Sequence, residues 1–261
     1  MMNKYTLIIN LIITLIITLI ITFILNKFYK KNEEKYEKIG NNIEIVISRY
    51  NESLEWLNND KYSHTNIIIY NKGVNNDFYK PLFSKTLKIP NVGVCDQTYL
   101  YHIIKNYDNL ADITIFLPGS CMDKHKEQKT NNVINKTIKT NNTVIYASEI
   151  KKDSMYNFEI INWGTTNLKN KELNNETKLR RCDIYPFGKW YKKVFPNINL
   201  KYITYVGIFS VSKKHIHNRS KESYEELINY VNKYKNEECS HYIERSWISI
   251  FDPIPKEHLF I

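Results

Sequence analysis

Pro90-Asn91-Val92-Gly93-Val94-Cys95-Asp96-Gln97-Thr98-Tyr99-Leu100-Tyr101-His102-Ile103-Ile104-Lys105-Asn106-Tyr107-Asp108-Asn109-Leu110-Ala111-Asp112-Ile113-Thr114-Ile115-Phe116-Leu117-Pro118-Gly119-Ser120 reads as a glycine turn, an amphipathic helix, a short turn and a buried strand ending in Pro-Gly. Tyr99, Leu100, Ile103, Ile104 and Tyr107 recur at helical spacing and make one apolar face. Ile113 to Leu117 is β-branched and aromatic and too short for a helix, so it reads as a strand. The loop after the carboxyl end of such a strand is where open α/β sheets place their ligands.

The same alternation extends outward in both directions. Upstream, Ile43 to Ser48 reads as a strand and Arg49-Tyr50-Asn51-Glu52-Ser53 as its loop. Leu54, Trp56 and Leu57 start a short helix, and Ile67 to Tyr70 is a second strand closed by Asn71-Lys72-Gly73. Downstream, residues 121–142 read as a lysine-rich helix and loop, residues 150–183 as an unpatterned insertion, and Ile184 to Phe195 as an aromatic cluster. Tyr202 to Ser212 reads as a strand, Arg219 to Tyr234 as a helix, and residues 239–251 as a last helix with Ile243, Trp247, Ile250 and Phe251 inward. Strands alternating with helices predict an α/β class: a single domain over residues 41–261 with a mostly parallel mixed sheet flanked by helices.

Leu7 to Leu25 is nineteen residues without a charge. At about 1.5 Å per residue it just spans a hydrocarbon core of about 30 Å. Asn26-Lys27-Phe28-Tyr29-Lys30-Lys31 follows, with none of the small residues of a cleavage site, so residues 1–25 read as an uncleaved transmembrane anchor and residues 26–40 as a charged stem. The expected partner of residues 7–25 is the lipid bilayer, and the expected location is a single-pass membrane protein of a host endomembrane or a virion membrane. Lys4 set against Lys27, Lys30 and Lys31 leans towards a cytosolic carboxyl-terminal domain by a small margin.

Twenty tyrosines and 13% aromatics argue against disorder. The net charge of +10 is read first as solvated lysine and second as the complement of an anionic partner: a nucleotide diphosphate, a membrane surface or nucleic acid. Nucleic acid is the weakest of these, because no zinc finger, RNA-recognition signature or continuous basic helix is present. Cys95, Cys121, Cys182 and Cys239 show no Cys-x-x-Cys spacing and read as free thiols; a disulfide would require an oxidising compartment. Asn-x-Ser/Thr sequons at Asn51, Asn135, Asn141, Asn175 and Asn218 are of the number that an asparagine-rich chain generates by chance.

Ile47-Ser48-Arg49-Tyr50-Asn51-Glu52, Tyr70-Asn71-Lys72-Gly73, Asn91-Val92-Gly93, Thr98-Tyr99-Leu100, Asn106-Tyr107-Asp108-Asn109-Leu110 and Phe116-Leu117-Pro118-Gly119 occur in that order. Phe187-Gly188-Lys189-Trp190, Gly207-Ile208-Phe209-Ser210-Val211-Ser212 and Glu244-Arg245-Ser246-Trp247 follow. Together, over roughly residues 43–252, they resemble a domain-of-unknown-function family seen in fungi, bacteria and large DNA viruses. Its layout in turn resembles the nucleotide-sugar-dependent glycosyltransferases of the A-type fold, in which the first strand also ends in a Tyr-Asn-Glu-like loop. The resemblance implies sugar transfer from a nucleotide sugar to the hydroxyl of a glycan or protein acceptor, with Mn²⁺ or Mg²⁺ as the cofactor. Two departures stand out. Val94-Cys95-Asp96 replaces an Arg-Glu pair after the Asn-Val-Gly turn, and the Asp-x-Asp metal motif of many such transferases is missing.

Such a reaction needs a base for the acceptor hydroxyl, positive charge for the leaving diphosphate, and faces to hold base and sugar. Glu244 and Asp96 are the candidate catalytic carboxylates. Helix capping is the competing reading for Asp96, and a structural ion-pair cluster of His241, Glu244 and Arg245 for Glu244. Arg49, Asn51, Glu52, Lys72 and Arg245 are candidate nucleotide contacts, with Asn51 also able to cap the following helix. Asp123 and His125, after the Pro-Gly turn, are the candidate metal ligands, with solvated loop residues as the alternative. Tyr185, Phe187, Trp190 and Tyr191 read as core before sugar platform. The competing function is a non-catalytic binding module on the same sheet. A hydrolase ranks third, because no Gly-x-Ser-x-Gly elbow is present.

Overall fold

The computed structural model describes residues 13–24, 43–63, 65–150, 152–160, 180–235 and 237–261. The chain forms two compact units, Met1–Asn41 and Asn42–Ile261. In the first, residues 13–24 form a helix (α1) with exposed side chains. The hydroxyls of Thr18 and Thr22 each donate to the carbonyl four residues back at 2.8 Å, which satisfies them within the helix. Among the described residues no helix is long and apolar enough to cross a membrane. Residues 7–12 and 25 of the expected span lie outside them, as does the whole of the expected stem, residues 26–40.

The second unit is built on one seven-stranded sheet. Its strands are β1 (Ile43–Arg49), β2 (Asn66–Asn71), β3 (Ser84–Lys88), β4 (Ile113–Pro118), β5 (Val144–Tyr146), β8 (Phe209–Ser212) and β9 (Leu259–Phe260), in the order β3-β2-β1-β4-β8-β5-β9. β1 pairs in parallel with β2 and β4, β2 with β3, and β5 with β9; only β8 runs antiparallel, between β4 and β5. A separate ribbon joins β6 (Ser148–Glu149) to β7 (Tyr202–Ile203).

Side-chain alternation explains the two-sided core. Ile43, Ile45 and Ile47 of β1 and Ile113, Ile115 and Leu117 of β4 face one layer, which includes Val133 and Ile134 of helix α3 (Glu127–Thr140). Val46 and Phe116 face the other, which includes Tyr99, Leu100 and Ile103 of α2 (Val94–Asn106) and Ile243, Trp247 and Ile250 of a later helix, α8 (Glu238–Ile250). Two polar pairs sit on that second face. Glu44 lies 3.0 Å from His102, and Ser48 shares a 2.9 Å hydrogen bond with Thr98. Helices α4 (Lys152–Tyr156), α5 (Phe187–Val194), α6 (Lys213–Ile216) and α7 (Lys221–Ile228) complete the domain. Phe187, Trp190 and Tyr191 of α5 are buried, so the aromatic cluster is core; only Tyr185, ahead of the helix, is exposed.

The structure departs from the sequence reading in three places, and a fourth stretch lies largely outside the described residues. The expected strand at 202–212 is two strands, β7 and β8, parted by a left-handed turn at Val206 (φ 65) and Gly207 (φ 60). The expected helix at 219–234 ends at Ile228 and continues as turns. Most of the expected insertion, residues 161–179, lies outside the described residues. Finally, the four cysteines are not all free thiols. Cys182 and Cys239 form a disulfide, their Cα atoms 5.1 Å apart, which leaves Cys95 and Cys121 as thiols.

Candidate active site

In this sheet the chain runs outward from β1 to β2 and β3, then returns to β4 on the other side of β1. The carboxyl ends of β1 and β4 therefore flank the switch point, where open sheets hold ligands. Arg49 ends β1 with 1% exposure. Its guanidinium donates to the carbonyls of Glu52 (2.8 Å), Tyr50 (3.2 Å) and Asn75 (2.9 Å) and to Asn71 Oδ1 (2.9 Å), and it stacks on Phe78. Arg49 thus ties together the loops after β1 and β2. Glu52 accepts from Tyr50 N–H at 2.6 Å, and its carboxylate lies where a Cβ on Gly119 would come within 2.6 Å of Oε2. Asn51 is exposed, and its Oδ1 sits 2.4 Å from the position of a Gly73 Cβ, so both glycines permit the close approach of the three loops.

Behind this crevice, α2 opens on a left-handed pair, Gly93 (φ 57) and Val94 (φ 52). The Lys72 ammonium reaches across to the carbonyls of Val92 (2.6 Å) and Val94. Asp96 is not a cap, as the capping reading had it: Gly93 occupies the cap position and Asp96 lies inside the first turn, 2% exposed. Its Oδ1 accepts from Trp247 Nε1 of α8 at 2.8 Å. Burial raises the Asp96 carboxyl to about 8; the charge of Glu244 adds to the rise, while the Trp247 donor and Lys72 oppose it. Burial also lowers Lys72 to about 8, against the pull of Cys95 and Asp96.

Glu244 comes from α8. Its Oε1 accepts from Val206 N–H at 2.8 Å, and its Oε2 lies 3.2 Å from Arg245 and 3.7 Å from His241 Nδ1. Burial would raise this carboxyl, but His241, Arg245 and the Val206 N–H together outweigh burial and hold it below the ordinary glutamate range. The two carboxyl groups are thus pushed in opposite directions. Arg245 is 5% exposed, packs over Phe158 at 3.9 Å, and has a buried Nε without a partner. From the other face of the sheet, Lys129 of α3 donates to Tyr205 O at 2.7 Å; burial lowers it to about 8, and nearby Glu244 opposes that shift. The Cys95 thiol lies 2.9 Å from the position of a Gly207 Cβ.

Four of the residues singled out in the sequence, Lys72, Asp96, Glu244 and Arg245, thus meet around the turn at residues 205–207. Arg49, Asn51 and Glu52 shape the adjoining crevice. Asp123 and His125 stand apart in the exposed turn after β4, where Asp123 lies 3.8 Å from Lys126. Among the described residues no three His, Cys, Asp or Glu side chains are placed to hold a metal ion. Lys129 and the Val206 N–H were not singled out by sequence reasoning. Lys129 is one lysine in a lysine-rich helix, and a backbone donor exposed by a left-handed valine leaves no trace in composition.

The fold and the site define an α/β protein with a polar cluster of mixed charge at the carboxyl edge of its parallel strands. Residues 45–258 match the family described as protein of unknown function, DUF3431, and the chain belongs to that family. No curated protein and no solved structure matches the chain.

Proposed function

We propose that this is a membrane-anchored, A-type-fold glycosyltransferase that moves a sugar from a nucleotide sugar to an acceptor hydroxyl of a glycan or protein, releasing the nucleoside diphosphate. The observation that supports it most is the meeting of two oppositely shifted carboxyl groups, Asp96 and Glu244, with Lys72, Lys129 and Arg245 at one end of the sheet. In this reading Glu244, charged at neutral pH, takes the acceptor proton as the acceptor oxygen bonds to the anomeric carbon. The bond from that carbon to the diphosphate breaks, and its electron pair leaves with the diphosphate oxygen. Lys72, Lys129 and the positive amino end of α2 offset the charge that develops there. Protonated Asp96 keeps a second negative charge out of the diphosphate site. Glu52, between the loops after β1 and β4, is assigned to the nucleoside.

Asp123 and His125 do not fit Mn²⁺ or Mg²⁺ well: they offer one carboxylate and one imidazole beside Lys124 and Lys126, where hard cations want several oxygens. The neutralising charge is therefore assigned to the lysines, and no step passes through a metal. Residues 7–25 are assigned to the bilayer, a role that the internally bonded threonines of α1 suit.

The test is release of nucleoside diphosphate from a panel of uridine, guanosine and cytidine sugar nucleotides, with water or added glycans as acceptor. One donor is expected to turn over, and Glu244→Gln is expected to lower kcat by about 10²–10⁴-fold, the usual contribution of a general base. Donor binding without turnover in the wild type would instead identify the non-catalytic module.

A further inference from the structure

We infer that the α/β domain matures in an oxidising compartment and carries an N-linked glycan on Asn141. The first half rests on the Cys182–Cys239 disulfide, which joins residues 57 apart in sequence. Both cysteines are buried, and the segments that carry them are held in place independently of the bond. Glu238, 0% exposed, accepts from Ile160 N–H at 2.9 Å and Cys182 N–H at 3.0 Å, and its own N–H donates to Arg180 O at 2.9 Å. The two sulfurs thus meet inside a framework that presents them to each other. Such a pair, in a compartment with a disulfide-exchange oxidant, gives up two electrons and two protons and stays oxidised; in a reducing cytosol it does not persist. On the anchor reading of residues 7–25, the amino terminus then lies on the cytosolic side, against the slight lean of the flanking lysines.

In the same compartment the sequons become substrates, and the fold discriminates among those it describes. Asn218 donates through Nδ2 to the carbonyls of Phe251 (3.0 Å) and Pro253 (3.3 Å), so a glycan there would displace two native hydrogen bonds. Asn51 is exposed, but its side-chain amide oxygen lies against Gly73, 2.4 Å from where a Cβ there would stand, so its amide is committed to the contact between two loops. Asn135 lies within α3 with its amide oxygen bonded to Lys61. Asn141 is exposed and stands in the left-handed turn (φ 47) that ends α3. It is held there by its backbone N–H to Thr137 O at 2.8 Å, and Thr143 supplies the third position of the sequon. An exposed turn is the setting an N-glycan tolerates. In the step itself Nδ2 of Asn141 loses a proton and bonds to the anomeric carbon of a lipid-linked oligosaccharide, displacing its diphosphate.

The experiment is expression of the full chain in a eukaryotic secretory system, followed by endoglycosidase digestion and by labelling of the denatured protein with a polymer-tagged maleimide. The inference predicts two labelled cysteines before reduction and four after it, together with a glycan-sized mobility shift that falls by one step in Asn141→Gln. Four labelled cysteines before reduction would overturn the compartment. A glycan pattern unchanged by Asn141→Gln, or no endoglycosidase-sensitive shift, would overturn the site. Neither outcome depends on transferase activity.

Discussion

Asp96 carries the plainest consequence at the scale of single residues. Its carboxyl is raised in the fold, so its contribution to stability is fully present below the unfolded carboxyl range near 4 and is lost as pH rises through about 8. Lys72 works in a separate window: its depressed value makes stability rise with pH only between about 8 and the ordinary lysine range. Glu244, held low, acts below the ordinary glutamate value. Between about pH 5 and 7.5 the slope therefore belongs to Asp96 among these three groups. Asp96→Asn keeps an oxygen for Trp247 Nε1 and removes the titration. Thermal melts across that range are expected to show the wild type losing stability relative to the variant as pH rises, the difference growing in favour of asparagine while groups common to both, such as His215 and Asp252, cancel. Parallel curves would mean that the carboxyl titrates normally.

At the scale of elements, the turns that frame the site are strained. Val94 and Val206 are β-branched residues with φ of 52 and 65, a conformation that costs about 1–3 kcal/mol and tends to persist where surrounding structure enforces it. Val94 is 46% exposed, so Val94→Gly loses little burial while relieving the backbone. It is expected to raise stability by up to about 1 kcal/mol in denaturant titrations and to weaken donor binding, because Lys72 loses a fixed carbonyl partner. A destabilised variant would show that the turn is relaxed as it stands. The same elements show what a sequence reveals. β1, β2, α2 and β4 are legible because apolar periods of 2 and 3.6 mark them. β3, Ser-Lys-Thr-Leu-Lys, is a largely exposed edge strand with a polar sequence, and β5 and β9 are three and two residues long, too short for any period. Asp96, Glu244, Lys72 and Arg245 are legible as chemistry but not as a cluster. The bond from Asp96 to Trp247 spans 151 positions, and only the packing of α2 against α8 creates it. The Cys182–Cys239 pair is silent for the same reason.

For the whole molecule, the disulfide ties the first turn of α8 to the segment ahead of α5, and α8 carries Glu244 and Arg245. Replacing both cysteines by serine is expected to lower stability by about 2–5 kcal/mol, read as a fall in the denaturant midpoint. An unchanged midpoint would mean that Glu238 and its backbone partners suffice to hold the helix. The resulting picture is a domain whose parallel strands, three helices (α2 and α8 on one face, α3 on the other) and one covalent clasp bring two carboxyl groups and three cations to a single edge. The most direct measurement is thermal unfolding of the full chain in detergent micelles against a panel of nucleotide sugars and nucleoside diphosphates, with and without Mn²⁺. A ligand at 100 times its Kd stabilises by about 2.7 kcal/mol, roughly 5–10 °C for a domain of this size. The account predicts such a shift for one nucleoside diphosphate class, present without metal and reduced in Glu52→Ala and Lys129→Ala. A folded wild type that shifts with no donor, or a shift that both substitutions leave intact, would contradict it.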